Sequence, residues 1–204
     1  MADYSNTIRI KEICNGEEIE VIYRKLPPRP APGVQAQKAR EEGRQPVFLQ
    51  DGFGDYPEVN PRTYLVEPGI VCIQDIEVPM RDGCKTYCDI YLPEGAQKVP
   101  VIIANSFYGK RPCADNTAQE YKAVGVPSGS TSRYCKFEGP DPEYWCHRGY
   151  AIANYDPRGV GNSEGNIGMS TQLDGEDAYD LIEFLAVQDW CNGKVGMAGN
   201  SGLA

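Results

Sequence analysis

Three stretches decide how this chain folds: "YAIANYD" (Tyr150–Asp156), "DGEDAYDLIEFLAVQDW" (Asp174–Trp190) and "KVGMAG" (Lys194–Gly199). The first and third are short runs of apolar and small residues, which suit strands covered on both faces. The middle one repeats Ala178, Leu181, Ile182 and Leu185 at helical spacing, with Asp174 placed to cap the first turn and Glu176 and Asp177 at the positive end of the helix dipole. Strand, helix, strand in this order implies a right-handed crossover within a parallel sheet. Working outward, "VPVIIAN" (Val99–Asn105) reads as another buried strand. Upstream of it, "GIVCIQDIEVPM" (Gly69–Met80) and "CKTYCDIYLP" (Cys84–Pro93) flank Arg81-Asp82-Gly83, and Asp-Gly between two β-rich runs signals a hairpin. The fold class is therefore α/β, an antiparallel β-hairpin leading into a mostly parallel sheet with flanking helices.

Two regions stand apart from this pattern. Residues 1–62 read as an irregular extension, its centre crowded with Pro27, Pro28, Pro30 and Pro32 and followed by a polar stretch with little to bury. The segment Pro112–Pro140 is rich in Gly, Ser and Cys and yields no assignment. The expected domain, 63–204, is large enough for one sizeable core.

Charge and cysteine usage narrow the function. Twenty basic residues against twenty-nine acidic ones give a net charge of -9, a field that repels phosphate backbones and anionic lipid. No nucleic-acid or membrane partner is expected. The eight cysteines form no C-x-x-C pair and no Cys/His cluster with zinc spacing, so no metal is expected. The N-terminus has no basic region followed by an apolar core, and no apolar run approaches the length of a membrane span. The expectation is a soluble, cytoplasmic protein with reduced, buried thiols. An even cysteine count also permits disulfides in a secreted chain.

Three loops follow the parallel strands, where α/β proteins place their ligands. In "NSFYGKRP" (Asn105–Pro112), Tyr108 can point its hydroxyl into a site or serve only as packing. In "DPRGVGNSEGN" (Asp156–Asn166), Gly159-Val160-Gly161 suggests a dinucleotide fingerprint, but Glu164 stands where the third glycine belongs and no helix opens at once. No cofactor is expected. Asp156 and Arg158 read instead as groups that pair or cap nearby backbone. The third loop, "GNSGLA" (Gly199–Ala204), approaches the nucleophile elbow G-x-S-x-G, with Leu203 at its last small position.

As a set, "EVPMRDGCKTYCDIYLPEG" (77–95), "KVPVIIANSFYGK" (98–110), "HRGYAIANYDPRGVGNSEG" (147–165) and "DGEDAYDLIEFLAVQDWCNGKVGMAGNS" (174–201) resemble the N-terminal part of the catalytic domain of the X-Pro dipeptidyl-peptidase and cocaine esterase-like (CocE/NonD) serine hydrolases of the α/β-hydrolase fold. The resemblance implies Ser201 as the acyl-forming nucleophile, Tyr108 as an oxyanion donor through its hydroxyl, and Gly202 as a second donor through its backbone N–H. It implies a small ester or peptide as substrate. Position 202 departs from the family, which usually carries a bulky aromatic there, and the expected consequence is a looser wall of the acyl pocket.

In this fold the acid and histidine of the triad follow the serine in chain order. Three residues follow Ser201, none acidic or histidine, and the single histidine, His147, precedes the strand at Tyr150. His147 should lie at that strand's amino end, away from Ser201, and reads as structural. The chain acting alone is expected to turn over negligibly, since loss of the triad histidine costs on the order of 10⁶ in kcat. A sheet ending after the elbow would also expose a strand edge suited to self-association, so a non-catalytic interaction module is the alternative.

Overall fold

The computed structural model describes residues 7–14, 16–24, 58–111, 125–127, 129–168 and 170–203. Two strands, β1 (Thr7–Cys14) and β2 (Glu17–Arg24), pair as an antiparallel hairpin within the expected extension. Gly16 turns it with a φ of 85°, a conformation glycine adopts without steric cost. Arg9–Glu20 (2.7 Å) and Lys11–Glu18 (2.5 Å) pair across its exposed surface. The proline-rich stretch falls outside the described residues.

The main sheet has six strands: β3 (Arg62–Glu67), β4 (Ile70–Pro79), β5 (Lys85–Pro93), β6 (Val99–Asn105), β7 (Ala151–Asp156) and β8 (Cys191–Met197), in the order β3-β4-β5-β7-β6-β8. The Asp-Gly hairpin is present, with Pro79 opposite Lys85 and Gly83 at a φ of 85°. Pairs β7/β6 and β6/β8 are parallel; β3/β4, β4/β5 and β5/β7 are antiparallel, so the sheet is mixed. Edge strand β3 is an element that the apolar runs did not announce. Its pattern is largely exposed.

All six residues of β7 are buried, as expected of a strand covered on both faces. On one face Val78, Cys88, Ile90, Ile103, Ala151 and Ala153 meet Leu181 and Leu185 from helix α2 (Gln172–Ala186). The small side chains of Ala151 and Ala153 leave room for those leucines. On the other face Ile70, Cys72, Tyr91 and Ile152 meet Tyr134 and Cys146, the latter from the short helix α1 (Pro142–Cys146).

The start of α2 differs from the expectation. Thr171, not Asp174, is the N-cap: Asp174 N–H donates to Thr171 Oγ1 at 3.3 Å, while Thr171 N–H donates to Asp174 Oδ2 at 2.7 Å. This capping box satisfies two orphan donors reciprocally. Asp177 turns inward instead of facing solvent at the dipole, and its carboxylate receives Arg158 Nη2 at 2.6 Å and Nε at 2.8 Å. Arg158 also reaches Asp82 at 2.9 Å, tying the β4–β5 turn to α2. Among the described residues Cys72, Cys84, Cys88, Cys146 and Cys191 are free thiols, and Cys72, Cys88, Cys146 and Cys191 are buried. Among the described residues no helix is long and apolar enough to cross a membrane.

Candidate active site

The loops leaving the carboxyl ends of β6 and β7 and the turn after β8 meet around a cavity of about 310 Å³. Asn105 and Phe107 line it from the first loop, Pro157 from the second, Asp174 from the start of α2, and Ser201 and Gly202 from the third. Each loop is fixed by a different device.

The turn after β8, the expected elbow, is tight and strained at Ser201. Ser201 has a φ of 56°, in the left-handed region that non-glycine residues rarely enter. Such strain persists only where the surroundings over-determine it. Here they do. A Cβ on Gly199 would lie 2.2 Å from Leu203 Cβ and 2.8 Å from its carbonyl oxygen, so only glycine permits the chain to close this tightly. Leu203 is buried, and its N–H donates to the Asn200 carbonyl at 3.2 Å. The leucine that departs from the G-x-S-x-G pattern is thus the side chain that closes the turn. Ala198 N–H donates to the Ile103 carbonyl at 3.1 Å and anchors the turn to β6.

Gly202 lies beside Phe107: a Cβ on it would stand 2.7 Å from Phe107 Cε1. The Phe107 ring from the neighbouring loop borders the space beside Gly202. Tyr108 does not itself line the cavity. Its ring packs 4.4 Å from Phe107 and edge-on, 5.1 Å, against Phe137, with its N–H on Ser106 Oγ at 3.0 Å.

A buried ionic network that the sequence reading missed holds the base of the Tyr108 loop. Lys110, fully buried, donates through Nζ to Asp156 Oδ2 and Asn162 Oδ1, each at 2.7 Å, and lies 3.2 Å from Asp75. Arg111 bridges Asp75 (2.5 Å) and Asp89 (3.0 Å). Burial pushes the Asp75 carboxyl up, but the Asn60 N–H, Arg111 and Lys110 outweigh it and the pKa falls below its ordinary value. For Asp89 burial wins over Arg111 and Lys110, and its pKa rises. Burial brings the Lys136 ammonium down to about 8 despite the nearby Asp156. Asp156 did prove to be a pairing residue, with Lys110 as its partner.

The "DPRGVGNSEG" loop bonds to itself. Ser163 Oγ donates to the Asp156 carbonyl at 2.6 Å, and Gly159 N–H donates to the Glu164 carbonyl at 2.8 Å. A Cβ on Gly159 would meet Ile167 N at 2.3 Å. His147 follows α1 and packs against Gly69 in the β3–β4 turn, 3.8 Å from Glu67. That is the amino end of β7, the opposite end of the sheet from Ser201, as expected.

Residues 82–204 match the family model described as X-Pro dipeptidyl-peptidase (S15 family). The chain belongs to this family. It is 30% identical over 140 residues to the cocaine esterase of Rhodococcus sp. (strain MB1 Bresler), an alignment covering 68% of this chain and 21% of that protein. A crystal structure of a CocE/NonD family hydrolase from Staphylococcus aureus superposes with a TM-score of 0.58 at 33% identity, covering 66% of this chain and 24% of that one. The chain thus spans between a fifth and a quarter of the length of these relatives, and its fold is that of the early part of an α/β-hydrolase. The matched region of the S15 family contains Tyr108, Ser201 and Gly202.

Proposed function

We propose that this protein is a serine hydrolase that cleaves an ester or peptide bond through an acyl-Ser201 intermediate. The observation that carries the reading is Ser201 held at a φ of 56° in a glycine-locked turn at the mouth of a cavity. A hydroxyl presented this way is free of its own strand and open to a carbonyl carbon. Attack forms the Ser201 Oγ–carbon bond and moves the carbonyl electron pair to oxygen. In this reading the Gly202 N–H and the Tyr108 hydroxyl donate to that oxyanion; one such donor is typically worth about 10²–10³ in rate. Collapse expels the alcohol or amine, and water then releases the acid.

Ser201 needs a base to accept its proton. His147 stands at the far end of the sheet, so this reading assigns the base and its acid to residues after Ser201 in the whole protein, the order this fold uses. A fluorophosphonate probe tests the nucleophile: the full-length protein is expected to label, and Ser201→Ala to abolish both labelling and hydrolysis of p-nitrophenyl acetate. Undiminished labelling in Ser201→Ala would overturn the assignment. Parallel assays with a peptide anilide distinguish ester from peptide cleavage.

One observation favours a second reading, self-association. Among the described residues β8 is the last strand of the sheet, and Asn192, Gly193, Lys194, Gly196 and Met197 along it are exposed. Light scattering of the 204-residue chain distinguishes a dimer from the monomer that would count against edge pairing.

A further inference from the structure

Three consecutive residues, Lys136, Phe137 and Glu138, touch both of the loops on which the proposed chemistry depends. Lys136 is fully buried and donates through Nζ to the Ala104 carbonyl at 2.8 Å, near the end of β6, and to the Gly109 carbonyl at 3.2 Å, one residue beyond Tyr108. Phe137 sets its ring edge-on to Tyr108 at 5.1 Å. Glu138 reaches the other loop: its carbonyl accepts from Asn200 N–H at 3.3 Å, and its Oε1 accepts from Asn200 Nδ2 at 2.9 Å. Asn200 is the residue before Ser201. The segment lies on neither loop. It arrives from the stretch between β6 and α1 that the sequence pattern left unassigned.

The turn that presents these side chains is itself tightly built. Gly139 N–H donates to the Lys136 carbonyl at 3.1 Å, and a Cβ on Gly139 would press to 2.9 Å from Lys136 Cγ, so the lysine stem runs directly beneath the glycine. Glu138 has a φ of 61°, a second non-glycine residue near the site in the left-handed region. Strain at this point, beside strain at Ser201, indicates that packing and hydrogen bonds on both sides fix the geometry.

We propose that Lys136–Glu138 is a brace that sets the distance and angle between the Ser201 elbow and the Tyr108 loop, with Glu138 and Lys136 as positioning residues. The inference rests on the hydrolase reading above. The nucleophile and the phenolic donor come from loops after two different strands, so their relation depends on what spans them. A lysine that satisfies two carbonyls on one side and a glutamate that receives a side-chain amide on the other make such a span. Misplacing a catalytic group by 1 Å can cost about 10² in rate.

Kinetics of p-nitrophenyl acetate hydrolysis by the full-length protein, with Glu138→Ala, Glu138→Gln, Tyr108→Phe, Glu138→Ala/Tyr108→Phe and Ser201→Ala, test the brace. Glu138→Ala removes the acceptor for Asn200 Nδ2 and is expected to lower kcat about tenfold, the worth of one such hydrogen bond, with KM within about twofold. Glu138→Gln keeps an Oε1 acceptor and is expected to restore kcat. In the Tyr108→Phe background the Glu138→Ala loss should shrink to about twofold, because a misaligned elbow already forfeits the phenol. A kcat for Glu138→Ala within twofold of the parent, or equal losses in both backgrounds, overturns the brace while an inactive Ser201→Ala leaves the hydrolase reading intact. An active Ser201→Ala overturns the reading itself and the brace with it. Lys136→Met, which deletes both carbonyl contacts, is read through soluble expression and urea midpoint, so a folding failure there does not obscure the Glu138 result.

Discussion

Replacing Lys110 by methionine is expected to cost about 3–5 kcal/mol of folding stability, the range for breaking a buried ion pair by removing one partner. Lys110 Nζ has no solvent contact, lies 2.7 Å from Asp156 and 3.2 Å from Asp75, and also donates to Asn162. Without it Asp75 keeps Arg111, while Asp156 keeps the backbone donors of Lys110, at 2.5 Å, and Asn162, at 3.2 Å. A carboxylate with no solvent contact then loses the ammonium that lies 2.7 Å from it. Asp156→Asn tests the partition. An asparagine keeps an oxygen for only one of the two backbone N–H groups, which bond to different carboxylate oxygens, but it removes the buried charge, so in the Lys110→Met background it should recover stability. In the parent background it should instead destabilise, by about 1–3 kcal/mol. Urea unfolding of the four proteins in this cycle measures both terms. A Lys110→Met cost below about 1 kcal/mol, or strictly additive single effects, would refute the argument that this lysine neutralises Asp156.

Other outcomes follow from the same geometry. Gly199→Ala drives a methyl into Leu203, so fluorophosphonate labelling of the full-length protein should fall at least tenfold with a loss of about 1–3 kcal/mol in stability; parent-like labelling would show that the elbow tolerates a side chain. The alkaline limb of the stability profile should be steep. Burial pushes the Cys72 and Cys146 thiols up to about 12 in the folded protein, whereas in the unfolded chain they ionise near 9. Their contribution is complete below pH 9 and is lost as pH rises from 9 toward 12, by about 1.4 kcal/mol per thiol at pH 10. Cys72→Ala/Cys146→Ala should therefore flatten urea midpoints measured between pH 8 and 10.5. An unchanged slope would contradict it.

The strands and the long helix were legible because each carries a period that solvent exposure enforces. Ala178, Leu181 and Leu185 line one face of α2, and β7 is apolar because both its faces are covered. The β1–β2 hairpin was legible in principle: Asn15-Gly16 sits between alternating runs, "TIRIKEIC" and "EEIEVIYR", the same kind of signal as Asp82-Gly83. Its neighbouring prolines drew the whole region into one assignment. The capping residue was misplaced by three positions because Thr171 and Asp174 bond reciprocally, and sequence shows only that both residue types are present. The Lys110–Asp156 pair was less accessible still. Its members stand 46 positions apart in loops after different strands, and no local period marks a charged side chain that turns inward.

The site's geometry is carried mainly by residues that do no chemistry. The Tyr108 loop is held from below by Lys110 and Arg111, the elbow is closed by Leu203 against Gly199, and the β7 loop is folded on itself through Ser163 and Gly159. Charge fixes the first, close packing the second and backbone hydrogen bonding the third, so the loops respond to different perturbations. High salt should leave all three largely unmoved, because the Lys110–Asp156 and Lys110–Asp75 ion pairs are sealed from solvent and screened far less than the surface pairs of the β1–β2 hairpin. The Lys136–Glu138 segment touches the Tyr108 loop and the elbow at once. A substitution in that segment should therefore change how the Tyr108 loop and the elbow stand to each other.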